Sequence, residues 1–381
     1  MAYYIVGIRN DFFGHLSTAD IAKKEKKMKR LVVISGMVFV LLTILLSPVV
    51  ESTDADLNWP ENTMYNPDYT WYTQQKNLSC MTLGTDRRTI ATTGAYEDRG
   101  IGLYDIEGHF IAQLPAHAKS VWCATFSPDG AYIFSGGDDK TIEQWSISKR
   151  EKITTYAGHK DSVESVDISP SGQIMASSGG CSGAIRIWDT RTKQLIKILG
   201  EEKVNDNFLP WVGPIKFLND NELVAGYNDG LKVWDVSRKT YSFLYGGHRS
   251  VHSLALSPDK SFLASGSSRD GSLCIWDLRT KTLEKILNTP GGAIYSLAFV
   301  SKNIIVAGRY HTADLYNWST GQNLLELRDH GGPVVSVIVT SQNILTASGY
   351  PEGAVRIWDI SKIVPTLQPQ SIIVWSRIKS Q

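Results

Sequence analysis

The residues best suited to nucleophilic, acid–base or metal chemistry are scarce in this chain, with eight His and four Cys among 381 residues. Cys80, Cys123, Cys181 and Cys274 form no Cys-x-x-Cys pair and are too dispersed for a disulfide framework, so they read as small buried residues. There is no His-Glu-x-x-His, no Gly-Lys-Ser/Thr phosphate loop and no calcium-loop pattern. His15, His109, His252 and His311 have no metal-ligand spacing with one another. A triad built from distant loops leaves no motif, and nothing points to one. The expectation is therefore no catalytic residue, no cofactor and no metal.

The other four histidines keep a phase. His117, His159, His248 and His330 precede Trp145, Trp188, Trp276 and Trp358 by 28, 29, 28 and 28 residues. Trp145, Trp188, Trp234, Trp276, Trp318 and Trp358 follow one another at 43, 46, 42, 42 and 40 residues, and Tyr104 stands 41 before Trp145. Between these marks, strand-like runs of about five residues alternate with Gly, Asn, Asp, Ser and Pro. No helical period is sustained. A repeat of about 40–45 residues with four strands each is the period of a propeller blade; the marks count seven such units in an all-β chain, and their resemblance to a known repeat family implies a seven-bladed β-propeller of four-stranded antiparallel blades.

Residues 264–277 show the unit best, ending in Trp276-Asp277, with Gly247-His248 and Ser257-Pro258-Asp259 upstream. This pattern resembles the WD-repeat family over roughly residues 69–360. By that resemblance, the repeat His, a strand Ser, the turn Asp and the Trp form a buried hydrogen-bond network. The resemblance assigns His117, Ser135, Asp139 and Trp145 to one such set and His248, Ser265, Asp270 and Trp276 to another. His159 with Trp188 and His330 with Trp358 belong to incomplete sets. Three units depart at the Asp position, with Ser182, Thr312 and Glu352. The fourth lacks the His, and the sixth has Pro290-Gly291-Gly292 instead of Gly-His. Units two, three and five are expected to be the best locked.

The N-terminal part differs in kind. Residues 1–30 end basic, residues 31–50 carry no charge, and Glu51, Asp54 and Asp56 follow. Twenty apolar residues can span a bilayer, and basic-before-acidic places the remainder outside. Two readings stand: a retained signal anchor, or a signal peptide cleaved near Ser52. The protein is thus expected membrane-anchored with an extracytoplasmic propeller, or secreted. Met28-Lys29-Arg30 is also a natural start, which leaves 1–27 as a segment whose translation the intact mass would settle. Residues 51–68 read as a linker, and 69–381 as the propeller. Register places residues 69–72 in the outer-strand slot of the last blade, closing the ring, with the run 371–378 competing for it.

Function rests on residues outside the repeat. On each innermost strand one position stays small, while the preceding one varies: Ser79, Trp122, Glu164, Gly213, His252, Tyr295 and Val335. In propellers resembling this one, that position lines the mouth of the central channel on the partner-binding face. Trp122, Glu164, His252 and Tyr295 are therefore partner-binding candidates, joined by Phe208 and Trp211 on the longest insertion. A net charge of +1 argues against a bulk electrostatic partner such as nucleic acid, which needs a basic face, and leaves only a local patch open, so no nucleic-acid partner is expected. The function expected is a non-catalytic scaffold for a protein or peptide partner. The alternative is a small-ligand or carbohydrate sensor using the channel. Oligomeric state is left open. Asn77-Leu78-Ser79 and Asn317-Trp318-Ser319 match a glycosylation sequon, although both fall in or beside expected strands.

Overall fold

The structure is a computed structural model and describes residues 63–96, 99–115, 117–200, 211–289 and 292–363. Residues 1–62, including the apolar run 31–50, lie outside it, as do Phe208, Pro290-Gly291 and the C-terminal run 371–378. Among the described residues no helix is long and apolar enough to cross a membrane.

Seven antiparallel blades follow one another. Blade 1 comprises Leu78–Leu83, Thr89–Gly94, Ile101–Asp105 and Phe110–Leu114. Blades 2 to 6 begin on the inner strands Val121–Phe126, Val163–Ile168, Val212–Phe217, Val251–Leu256 and Ser296–Phe299. Blade 7 takes Val334–Val339, Asn343–Ser348 and Ala354–Asp359 from the end of the chain and its outer strand, Tyr69–Tyr72, from the beginning. Tyr69 pairs with Ile357 and Tyr72 with Ala354 in an antiparallel register. The closing strand is thus the one the register predicts.

The core is not one body. Each apolar cluster lies between two successive blades. Ile101 and Leu114 of blade 1 meet Phe126 and Trp145 of blade 2. Trp188 joins Phe134 and Tyr156 of the blade before it, and Trp358 joins Leu315 and Leu327. Trp71 and Tyr104 seal the seam between blades 7 and 1, their rings 4.7 Å apart. A lone four-stranded sheet has two faces to bury, and stacking the blades in a ring buries both.

Two features differ from the sequence reading. Thr63–Tyr65, inside the stretch read as a linker, forms a fifth strand parallel to Gln322–Leu327 on the outer edge of blade 6. Three residues are too few to show an alternating pattern; the open strand edge supplies their partners. Trp318 is not the repeat aromatic of blade 6. Tyr316 pairs with Ile305 as Trp276 pairs with Leu263, and Asn317 takes the place of Asp277. Trp318 lies just past the strand, packs on Phe262 at 4.9 Å and donates to the Lys302 carbonyl at 2.8 Å. Asn317 is buried and its Oδ1 accepts from Ser319, which accounts for that sequon structurally.

Candidate functional site

The phase-locked residues hold blades together, in several different ways. In blade 2, His117 Nδ1 meets Asp139 Oδ1 at 2.9 Å and Nε2 meets Ser135 Oγ at 2.9 Å. Both ring nitrogens are engaged, so the nearby carboxylates of Asp139 and Glu143 do not make it a free metal ligand. Burial alone would raise the Asp139 pKa, but hydrogen bonds from His117 and Thr141 hold it well below the ordinary carboxylate range. Trp145 Nε1, expected in this network, has no partner. In blade 3, Ser177 Oγ accepts from Trp188 Nε1 at 2.8 Å and contacts His159 Nε2 at 2.7 Å. Ser182 Oγ donates to the Gly179 carbonyl at 3.1 Å, and Arg186 donates to His159 Nδ1 at 3.1 Å. Burial, then the Arg186 charge, push the His159 pKa down to about 3.

Blade 5, expected to be well locked, has its network in two parts. Trp276 Nε1 donates to Ser265 Oγ at 2.9 Å. His248 Nδ1 instead meets Ser272 Oγ, which donates to Asp270 at 2.6 Å. Blade 7 is better connected than its Glu352 suggests. His330 contacts Ser348 Oγ and Thr346 Oγ1, Trp358 donates to Thr346, and Arg356 pairs with Glu352 at 2.5 Å. Glu352 does not meet the histidine as Asp139 does; it accepts from the Gly331 N–H and holds Arg356, whose Nη1 lies 3.3 Å from His330 Nδ1.

The variable position has a backbone cause. In blades 1, 2, 3, 5 and 7 the inner-strand register slips around it, between Leu78 and Cys80, Val121 and Cys123, Val163 and Ser165, Val251 and Ser253, and Val334 and Ser336. Blade 4 slips between Val212 and Ile215. Ser79, Trp122, Glu164, Gly213, His252 and Val335 therefore sit at β-bulges, which leave a residue unpaired and re-aim its side chain. Tyr295 just precedes its inner strand. The small residue after the variable position pins the next blade: Ser296 Oγ donates to the Val334 carbonyl at 2.8 Å and Ser336 Oγ to the Met81 carbonyl at 2.9 Å.

The variable residues, joined by Trp211, form two groups around the mouth. Trp211 and His252 are stacked at 5.9 Å, and His252 meets Tyr295 edge-on at 6.1 Å. Gly213 permits this, because a Cβ there would collide with the Trp211 indole. Desolvation beside these rings lowers the His252 pKa, although one side of the residue remains exposed. On blades 2 and 3, Trp122 Nε1 donates to Asp138 Oδ1 at 2.5 Å. Burial first, then Asp138 and Asp161, raise the Glu164 pKa to about 7. Of the sequence candidates, the structure brings Trp211, His252 and Tyr295 together and puts Trp122 and Glu164 in the second group.

A third group has no sequence motif. Tyr96, Tyr310 and Tyr350 are 68%, 55% and 68% exposed. Each lies two residues beyond the second strand of its blade, in blades 1, 6 and 7. These turns share the face of the mouth, since Tyr96 N donates to Ser120 Oγ just before the inner strand of blade 2. The signal available in the sequence is a Tyr at one fixed offset past the second strand in three of the seven units. On the opposite face, a cleft of about 420 Å³ lies between blades 1 and 2. Asp86 in that cleft is engaged by Arg88 and Thr89 of its own turn.

The family model for the WD domain, G-beta repeat, matches residues 108–146, 150–189 and 238–277. The chain is a WD-repeat β-propeller protein. The propeller is 24% identical to a ribosome biogenesis protein WDR12 homolog of Chlamydomonas reinhardtii, over 60% of each chain. It is 32% identical to a guanine nucleotide-binding protein subunit beta of Oryza sativa subsp. japonica, over 44% of this chain and 46% of that one. The chain spans about half the length of the curated relatives it matches. The solved structure of U3-55K superposes with a TM-score of 0.67 at 18% identity, covering 76% of this chain and 98% of that one. That likeness concerns the fold.

Proposed function

We propose that this protein is a non-catalytic interaction scaffold, presenting the bulge face of the propeller to a protein or peptide. The observation that carries the reading is the β-bulge that recurs in blades 1, 2, 3, 4, 5 and 7 and re-aims the variable residue of the inner strand, with Tyr295 of blade 6 joined to the same face through His252. Exposed Tyr96, Tyr310 and Tyr350 widen that face with side chains suited to interface anchors. The relatives named for ribosome biogenesis and U3-55K make RNA a control in the test. Asp138, Asp161 and Glu164 at the mouth disfavour a phosphate backbone.

The reading includes delivery to a membrane by residues 31–50, supported by the apolar run between basic and acidic flanks. Affinity purification of the native protein from membrane and soluble fractions, with sequencing of its N-terminus, tests partner and location together. Trp211→Ala and Tyr295→Ala are expected to abolish partner capture while the thermal midpoint moves by only a few degrees. Unchanged capture in both variants removes the mouth from the proposal. Recovery only from the soluble fraction with an intact Met1 removes the membrane.

A further inference from the structure

Among the described residues, eleven other than glycine have a positive φ, a conformation that a Cβ makes unfavourable. Each inner strand starts at the mouth and the strands of a blade alternate in direction, so the turns after the first and third strands share the opposite face. Backbone bonds join these two turns within a blade, from Ile147 N to Ala131 O, Thr190 N to Gln173 O and Leu278 N to Ser261 O. Six of the eleven lie on that face: Arg87, Arg150, Lys193, Lys239, Lys260 and Lys281. All six are Lys or Arg, against Lys140 alone among the five on the mouth face.

Four of the six form an arc along the outer rim. Arg150, Lys193, Lys239 and Lys281 each stand five residues after the repeat aromatic, at the end of the turn between the third and fourth strands of blades 2, 3, 4 and 5. Their φ angles are 57°, 65°, 59° and 57°. At that place blade 6 has Gly321 with φ 86°, and the shorter turn of blade 1 has Gly108 with φ 91°. Glycine is the unstrained choice, so turn geometry does not account for the bases, and strain kept at a position points to function. Lys149, Arg191, Arg238 and Arg279 stand in the same four turns, which gives each turn one exposed Arg and one exposed Lys. Lys281 reaches Glu222 at 2.9 Å, while Lys149, Arg238 and Arg279 reach a carboxylate at 3.5, 3.7 and 3.6 Å, surface pairs of little strength. Arg150, Lys193 and Lys239 have no ion pair among the described residues. The carboxylates of this face are turned to the backbone. Asp189, Asp235 and Asp277 accept N–H groups of these turns, and Asp86, Asp129 and Asp259 those of the inner turns.

The arc ends with blade 5. The matching turns of blades 6 and 1 hold no Lys or Arg, and Lys362 of blade 7 is tied to Asp68. A bilayer would meet the whole face, whereas an arc over four blades fits an extended chain. Single-stranded nucleic acid is held by stacking platforms besides charge, and only blade 4 sets an exposed ring, Tyr241, beside its turn. We infer that the arc is a second contact face, and that it takes an extended acidic segment of a protein partner, whose carboxylates meet one Arg and one Lys on each blade. The occupant is argued from charge complementarity and from the Arg fork, which matches a carboxylate. The inference goes beyond the scaffold reading, which concerns the opposite face.

The test variant carries Arg150→Gly, Lys193→Gly, Lys239→Gly and Lys281→Gly together in the full chain. Its control removes four bases from the mouth face, as Lys119→Gln, Lys140→Gly, Lys160→Gln and Arg249→Gln, with the same change in net charge. The probe is a fluorescent peptide of four Glu-Glu-Gly-Ser repeats, followed by anisotropy at low and at physiological salt. The arc variant should bind it about tenfold more weakly and with a shallower salt dependence, while the control binds like wild type. Glycine removes strain together with charge, so the thermal midpoint of the arc variant should equal or exceed that of wild type. Bases that shaped their turns would lower it on removal.

Undiminished binding by the arc variant, or an equal loss in the control, overturns the inference. So does a lowered midpoint in the arc variant, and so does tighter binding at the arc of a uridine oligonucleotide or of phosphatidylglycerol vesicles than of the peptide. Capture of the native partner should also fall in the arc variant. If Trp211→Ala loses that partner and the arc variant keeps it, the mouth stands and the arc falls. If the arc variant alone loses it, the arc stands and the mouth falls.

Discussion

Burial acts on Glu164 and on His159, His248 and His330 in opposite directions. For Glu164 the folded pKa of about 7 lies above the ordinary carboxylate value of 4.5. The folded state binds that proton more tightly than the unfolded chain, so a penalty is absent below pH 4.5, grows to pH 7 and persists above it. Glu164→Gln should therefore raise the thermal midpoint at pH 8 and leave it unchanged at pH 4. A lower midpoint at pH 8 would contradict this. For His159, His248 and His330, burial lowers the folded pKa from 6.5 to about 3, 4 and 3. The unfolded chain binds these protons more tightly, so their stabilisation is full above pH 6.5 and is lost as the pH falls towards 4. Urea midpoints between pH 7 and pH 4 should fall steadily, and His330→Gln should flatten the slope. The Asp of the Trp-Asp pair was legible as a recurring residue but not in its role: it accepts backbone N–H groups of the following turn, in Asp189, Asp235 and Asp277 alike.

At the scale of strands, the sequence showed a constant small residue after a variable one, and the β-bulge is why. A slip of one residue on an inner strand frees one side chain from the ladder and leaves the next as a pin to the neighbouring blade. The periodicity of Trp alone misplaced blade 6, because Tyr316 and Trp318 are both aromatic and two residues apart. The discriminating residue is the polar one that follows: Asn317 after Tyr316 repeats Asp277 after Trp276. The Tyr96, Tyr310 and Tyr350 turns escaped the reading because their neighbours differ from blade to blade. The bulge of blade 4 supplies a prediction. Gly213 leaves space for the Trp211 ring, so Gly213→Val should displace the indole from His252. Capture of the partner should fall as far as in Trp211→Ala, read side by side in one binding assay. Full capture by Gly213→Val would mean that the stacked row is not a contact.

The described residues form a ring of inter-blade cores, and its weakest topological point is the seam where Tyr69–Tyr72 joins blade 7. Blade 7 owes three strands to residues 334–359 and one to Tyr69–Tyr72. The contacts there are more than backbone pairing: Trp71 is 5% exposed and packs on Tyr104 of blade 1. Asp68 ties the same seam to Lys362 and accepts from the Asp359 N–H. A ring that shares every core between neighbours cannot lose one contact surface locally, since each blade would expose a face when its neighbour left. Trp71→Ala should therefore cost about 3–5 kcal/mol and lower a single cooperative transition, whatever probe follows it. Removing residues 371–381 should leave that transition in place, because the outer slot is already filled by Tyr69–Tyr72. Chemical denaturation followed by both tryptophan fluorescence and far-UV circular dichroism checks the pair of outcomes. Two separated transitions in Trp71→Ala would show that the blades unfold independently, and collapse of the shortened chain would move ring closure to its C-terminal end.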